Sequence, residues 1–209
     1  MPRALLLAIV LASGCAGIHD RAYYPPAGPT TRALAERLHR AAEAAGDDPA
    51  RYSFALLASP NVVAYSAGEA TFYFSEGLLR QPPAVIDAII ARQVAHEVLG
   101  HAGQRAALSW SVTAGFTVLG FVVPGASLLD FAVNPLIVRA FTRDQVIAAD
   151  RRTVEMLRAM GHPMPQRTLA IALRAAHAAN GAPIGGWLAT EPSLDERLTA
   201  LGPLEAHRP

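Results

Sequence analysis

The sequence predicts a mostly helical α+β fold with a small sheet packed against its central helices. Three observations carry that reading. Several long stretches place apolar residues at helical spacing and stop at Gly or Pro. Three short runs between residues 51 and 75 alternate aromatic or aliphatic residues with polar ones, around turn residues. The chain has 209 residues, 52% of them apolar, enough for one domain with a sizeable core.

The chain opens with a secretion signal. Arg3 supplies the positive start and residues 4–12 a short apolar core. Leu11-Ala12-Ser13-Gly14-Cys15 follows, and small residues before a cysteine resemble the bacterial lipobox. Cys15 is therefore expected to be lipidated and to become the mature N-terminus. It is the only cysteine, so no internal disulfide can form. Ala16 after it favours the outer membrane, facing the periplasm. The expected organisation is a signal peptide over 1–14, a tether over 15–30 and a domain over 31–204. Pro25, Pro26, Gly28 and Pro29 argue against regular structure in the tether.

Residues 31–45 read as an amphipathic helix, with Leu34, Leu38, Ala41 and Ala45 on one side and Gly46 as its stop. Residues 51–58, 61–66 and 70–75 are strand candidates, separated by Ser59-Pro60-Asn61 and Gly68. Pro82-Pro83 opens the next helix, because proline is tolerated in a first turn. Residues 106–129 carry no charge and are long enough to cross a bilayer. Gly115, Gly120, Pro124 and Gly125 interrupt them, which favours a buried hairpin or a membrane-facing helix. Residues 141–160 and 165–180 are two more helices. Ser193 to Glu196 forms a capping box for a last short one. Net charge is +1, every basic residue is Arg, and no basic run is interleaved with aromatics, so a nucleic-acid partner is excluded.

The stretch that carries chemistry is Val94-Ala95-His96-Glu97-Val98-Leu99-Gly100-His101. It is close to the zinc-peptidase signature His-Glu-x-x-His. Histidines four apart leave one helix face and can share a metal, and the glutamate activates the bound water. Here the second histidine is one residue late. On a continuous helix, five residues turn about 500°, so His101 would point roughly 140° away from His96. A one-residue π-bulge near Gly100 would bring it back.

Taken with other segments, the chain resembles metallopeptidase family forty-eight, of the HtpX and CAAX-prenyl-endopeptidase type, and within it the short bacterial lipoproteins. The resemblance rests on Asn61 to Tyr65, Glu76-Gly77-Leu78-Leu79, His96-Glu97, Thr142-Arg143 with Ala149-Asp150, and Pro192-Ser193 with Arg197. It implies a gluzincin-like core and a zinc cofactor. It also implies Glu97 as general base and a peptide aligned along an edge strand over residues 70–75 through Thr71 and Tyr73.

The resemblance also marks departures. Gly100 stands where the second ligand should be, and Val146 where the third ligand, a glutamate, should be. The histidine of the Thr-His-Pro-Ser motif is Glu191. Asp150, about 40° round the helix from position 146, is the candidate substitute carboxylate. Two functions stay open. One is an envelope zinc endopeptidase with His96, His101 and Asp150 on the metal. The other is a non-catalytic homologue that keeps the groove and binds proteins or peptides. A third, a membrane-embedded structural protein, requires residues 106–129 to span the bilayer. Oligomeric state is not readable.

Overall fold

The computed structural model describes residues 22–101, 142–180 and 192–206. In chain order the elements are β1 (Ala22–Tyr23), α1 (Pro29–Ala45), a 3₁₀ turn (Pro49–Arg51), β2 (Ser53–Leu57), β3 (Ala64–Gly68) and β4 (Thr71–Ser75). The helices α2 (Glu76–Leu79), α3 (Pro83–Val98), α4 (Arg143–Ala159), α5 (Pro165–Asn180) and α6 (Leu194–Ala200) follow. The domain is α+β and mostly helical, as expected from the periodicity.

Helix α3 is the centre of the packing. It is apolar on nearly every side, as a helix enclosed by neighbours must be. Val85, Ile86, Ala88, Ile89, Ile90, Ala91, Val94 and Ala95 are all buried. It packs against α1, α4, α5 and β3. Leu34 and Leu38 come in from α1, Met156 and Leu157 from α4, and Leu169 from α5. Phe72 and Phe74 of β4 close the core from the sheet, and Tyr52 stacks on Phe72 with ring centroids 5.5 Å apart.

The sheet order is β1-β2-β4-β3, with β2 and β4 parallel and the outer pairs antiparallel. Two expectations need correction here. The Thr71–Ser75 strand is not an edge: β2 and β3 take both its backbone sides, so the edge beside the motif helix is Ala64–Gly68. Local alternation marks a strand, but not its neighbours. Within residues 15–30, β1 pairs with β2, and α1 starts at Pro29, where proline's missing N–H has no helical partner to lose.

Residues 59–63 form a loop pinned from three directions rather than the start of a strand. The Ser75 hydroxyl accepts the Val63 N–H at 2.9 Å and donates to the Asn61 carbonyl at 2.6 Å. Asn180, at the end of α5, accepts the Val62 N–H at 2.9 Å and donates to its carbonyl at 2.8 Å. Gly77 lies so close beneath that a Cβ there would sit 2.1 Å from the Pro60 carbonyl oxygen. This loop leads directly into the edge strand.

Candidate functional site

The α3 helix does not run on to His101. It ends at Val98, with the Leu99 N–H on the Ala95 carbonyl at 3.1 Å and the Gly100 N–H on the Glu97 carbonyl at 2.9 Å. Gly100 adopts φ +70°, the left-handed conformation that commonly terminates helices at glycine. Past this turn His101 faces His96, with Nδ1 to Nδ1 at 3.0 Å. The ring centroids are 5.2 Å apart and the planes are inclined by 64°. Both imidazoles are buried. Burial holds the His101 pKa below its ordinary value, which favours the neutral ring. The expected 140° divergence is therefore absent. A helix stop, not a π-bulge, removes it. The signal was in the sequence: glycine just past the last apolar turn is a helix-ending residue.

Glu97 lies half-buried beside the β3–β4 hairpin. Its Oε2 accepts the Ser66 hydroxyl at 2.6 Å, and its Oε1 accepts the Ala70 N–H at 2.8 Å. Neither partner could be found from sequence, because both reach Glu97 across the fold.

Asp150 is on α4, 1% exposed. Arg197 grips it with both prongs, Nε to Oδ2 at 2.8 Å and Nη2 to Oδ1 at 2.7 Å. Arg92, one helical turn before His96, donates Nε to Oδ1 at 3.1 Å. The carboxylate thus ties α3, α4 and α6 together through charge-assisted bonds. Val146, one turn earlier on α4, is buried. Thr71 and Tyr73 are half-buried in the interior strand, and the Thr71 hydroxyl lies 3.3 Å from that of Ser53. Cys15, Glu191 and residues 106–129 lie outside the described residues.

A further acid, Asp87 on α3, lies beyond this cluster. It meets Arg37 of α1 at 2.5 Å, Arg40 at 3.5 Å and His162 at 3.3 Å. His39 and His177 are exposed on helices.

A peptidase zinc takes three protein ligands plus water, with nitrogens at about 2.0–2.1 Å. Two such bonds at a tetrahedral angle separate the nitrogens by roughly 3.3–3.4 Å. The histidine pair is within a few tenths of an ångström of that separation. The third donor is a different matter. Among the described residues, no group of three His, Cys, Asp or Glu is placed to hold a metal. The described residues therefore do not fit a catalytic zinc.

A central buried helix ending in His-Glu beside an edge hairpin, with an acid-bearing helix packed against it, is a metallopeptidase-type arrangement. The model of Peptidase family M48 matches residues 29–205, and the chain belongs to that family. No curated protein matches the chain at a significant level.

Proposed function

We propose that this protein is an envelope lipoprotein that uses the zinc-endopeptidase fold with impaired or lost zinc-dependent proteolysis. The observation that carries the reading is the fate of the third donor. Position 146 offers an isopropyl group, and the buried acid one turn further along α4, Asp150, is engaged by Arg92 and Arg197. Recruiting Asp150 to a metal would strip two guanidinium groups of their buried partner, a costly exchange. Glu97 accepts one hydrogen bond on each oxygen, from Ser66 and Ala70 of the hairpin.

On this reading Cys15 carries the lipid and holds the domain at the outer membrane, facing the periplasm. The chain belongs with the short lipoprotein members of the HtpX and CAAX-prenyl-endopeptidase type. Its partner is a protein or peptide, bound at the Ala64–Gly68 edge rather than at Thr71 and Tyr73. Among the described residues no helix is long and apolar enough to cross a membrane.

A second reading, an active zinc endopeptidase, is favoured by one observation: the two imidazoles converge. Elemental analysis of the purified protein separates the two. The proposal expects well under one zinc per chain and no chelator-sensitive cleavage of casein. A full equivalent of zinc that disappears in His96→Ala would overturn it.

A further inference from the structure

The β3–β4 hairpin has an unusual turn. Gly68 pairs with Thr71, leaving Glu69 and Ala70 as a two-residue connection. Their φ angles are +52° and +56°, the left-handed region required at both positions of a type I′ turn. Asn and Gly favour that turn, because a Cβ is strained there. This chain uses Glu and Ala, so the turn must be held from outside.

The holding group is Glu97. The Ala70 N–H, inside the strained turn, donates to Glu97 Oε1 at 2.8 Å. The Ser66 hydroxyl, on the other arm beside the bulge between Ser66 and Gly68, donates to Glu97 Oε2 at 2.6 Å. A single carboxylate thus bridges the β3 arm and the turn and fixes them to the end of α3. On the far side the Ala70 carbonyl accepts the Ser53 N–H at 3.0 Å. Ala70 is fully buried, so without Glu97 its N–H would have no solvent to turn to.

We infer that Glu97 acts as a positioning residue: it is the clasp that holds the edge hairpin in its strained turn and sets the edge strand against the histidine pair. Each oxygen gives one of its two lone pairs to the clasp and keeps the other for a further donor. The clasp stands on its own hydrogen bonds. It holds whether or not zinc binds, so its failure and that of the proposed function are distinguishable.

The clasp and general-base duty respond oppositely to Glu97→Gln. Glutamine keeps the clasp, because its oxygen still accepts the Ala70 N–H and its amide can donate to the Ser66 oxygen. It cannot act as a base. The test is residue-level amide exchange by NMR on the wild type, Glu97→Gln, Glu97→Ala and Ser66→Ala. Exchange at Ala70 is expected to rise at least about tenfold in Glu97→Ala, as the loss of a charge-assisted hydrogen bond implies. It should stay within about threefold of wild type in Glu97→Gln. Ser66→Ala removes only one arm and should give an intermediate rise. That keeps the inference testable should Glu97→Ala not fold. Glu97→Gln exchanging as fast as Glu97→Ala would overturn the clasp, as would unchanged protection in both Ser66→Ala and Glu97→Ala. If instead Glu97→Gln abolished casein cleavage while leaving Ala70 protected, the clasp would survive and the non-catalytic reading would fall.

Discussion

Asp150→Asn is the substitution that separates an ion-pair hub from a metal ligand. In the structure the carboxylate is 1% exposed and accepts three hydrogen bonds from two guanidinium groups on different helices. Asparagine is nearly the same size but removes the charge and turns an NH₂ toward one of the cations. Removing one partner of a buried pair costs about 3–5 kcal/mol, most of it from the charges left behind. For a domain of this length each kcal/mol lowers the melting temperature by roughly 2–4 °C, so a fall of about 6–20 °C is expected. Arg197→Ala leaves Arg92 in place and should cost less, on the order of 2–3 kcal/mol. The double variant should fall short of the sum, because the second change removes a partner already lost. Thermal melting followed by circular dichroism, with zinc measured on the same samples, is sufficient. If Asp150→Asn melted within about 3 °C of wild type and lost bound metal, the hub argument would be refuted and Asp150 would be a ligand.

Two further expectations follow from other parts of the fold. Glu205 sits at the start of α5, where burial works against its ionised form but is outweighed by the N–H groups of Gln166 and Arg167, each at 2.9 Å. Its folded pKa is therefore lowered, so its contribution is complete above the ordinary value of 4.5 and is lost as pH falls through the folded value. Glu205→Gln should cost about 0.5–1 kcal/mol at pH 7, a modest figure because the group is half-exposed, and little at pH 3, read from urea midpoints. Gly77→Ala drives a Cβ into the Pro60 carbonyl oxygen, which belongs to backbone held on three sides. A loss of about 2 kcal/mol or more is expected, and a urea midpoint unchanged from wild type would show that the loop is looser than its hydrogen bonds imply.

Legibility in the sequence divides along a physical line. Whatever depends on neighbours a few residues away was readable: the apolar stripe of α1, the proline opening α3, and the Ser193 capping box that opens α6. Even the turn at Gly100 belonged to this class, since glycine beyond an apolar run ends helices. Whatever depends on pairing across the fold was not. Strand order placed β4 inside the sheet, although its Phe72 and Phe74 alternation would look the same at an edge. The arginines on Asp150 come from 58 and 47 residues away, and nothing in the local pattern of α4 announces them.

The spacing of the two histidines was the most visible departure in the sequence, but it is not the feature that decides the chemistry. An extra residue disqualifies a metal pair only if the helix continues through it. Here the helix stops, a left-handed glycine absorbs the excess, and the rings meet. The quieter substitution matters more. On the proposed reading, a missing donor at position 146 cannot be repaired by a turn, because it removes a ligand rather than misdirecting one. The buried carboxylate one turn on, Asp150, could fill the gap only by giving up its bonds to Arg92 and Arg197. The question of activity therefore rests on α4 and its arginines more than on the imperfect motif that first draws the eye.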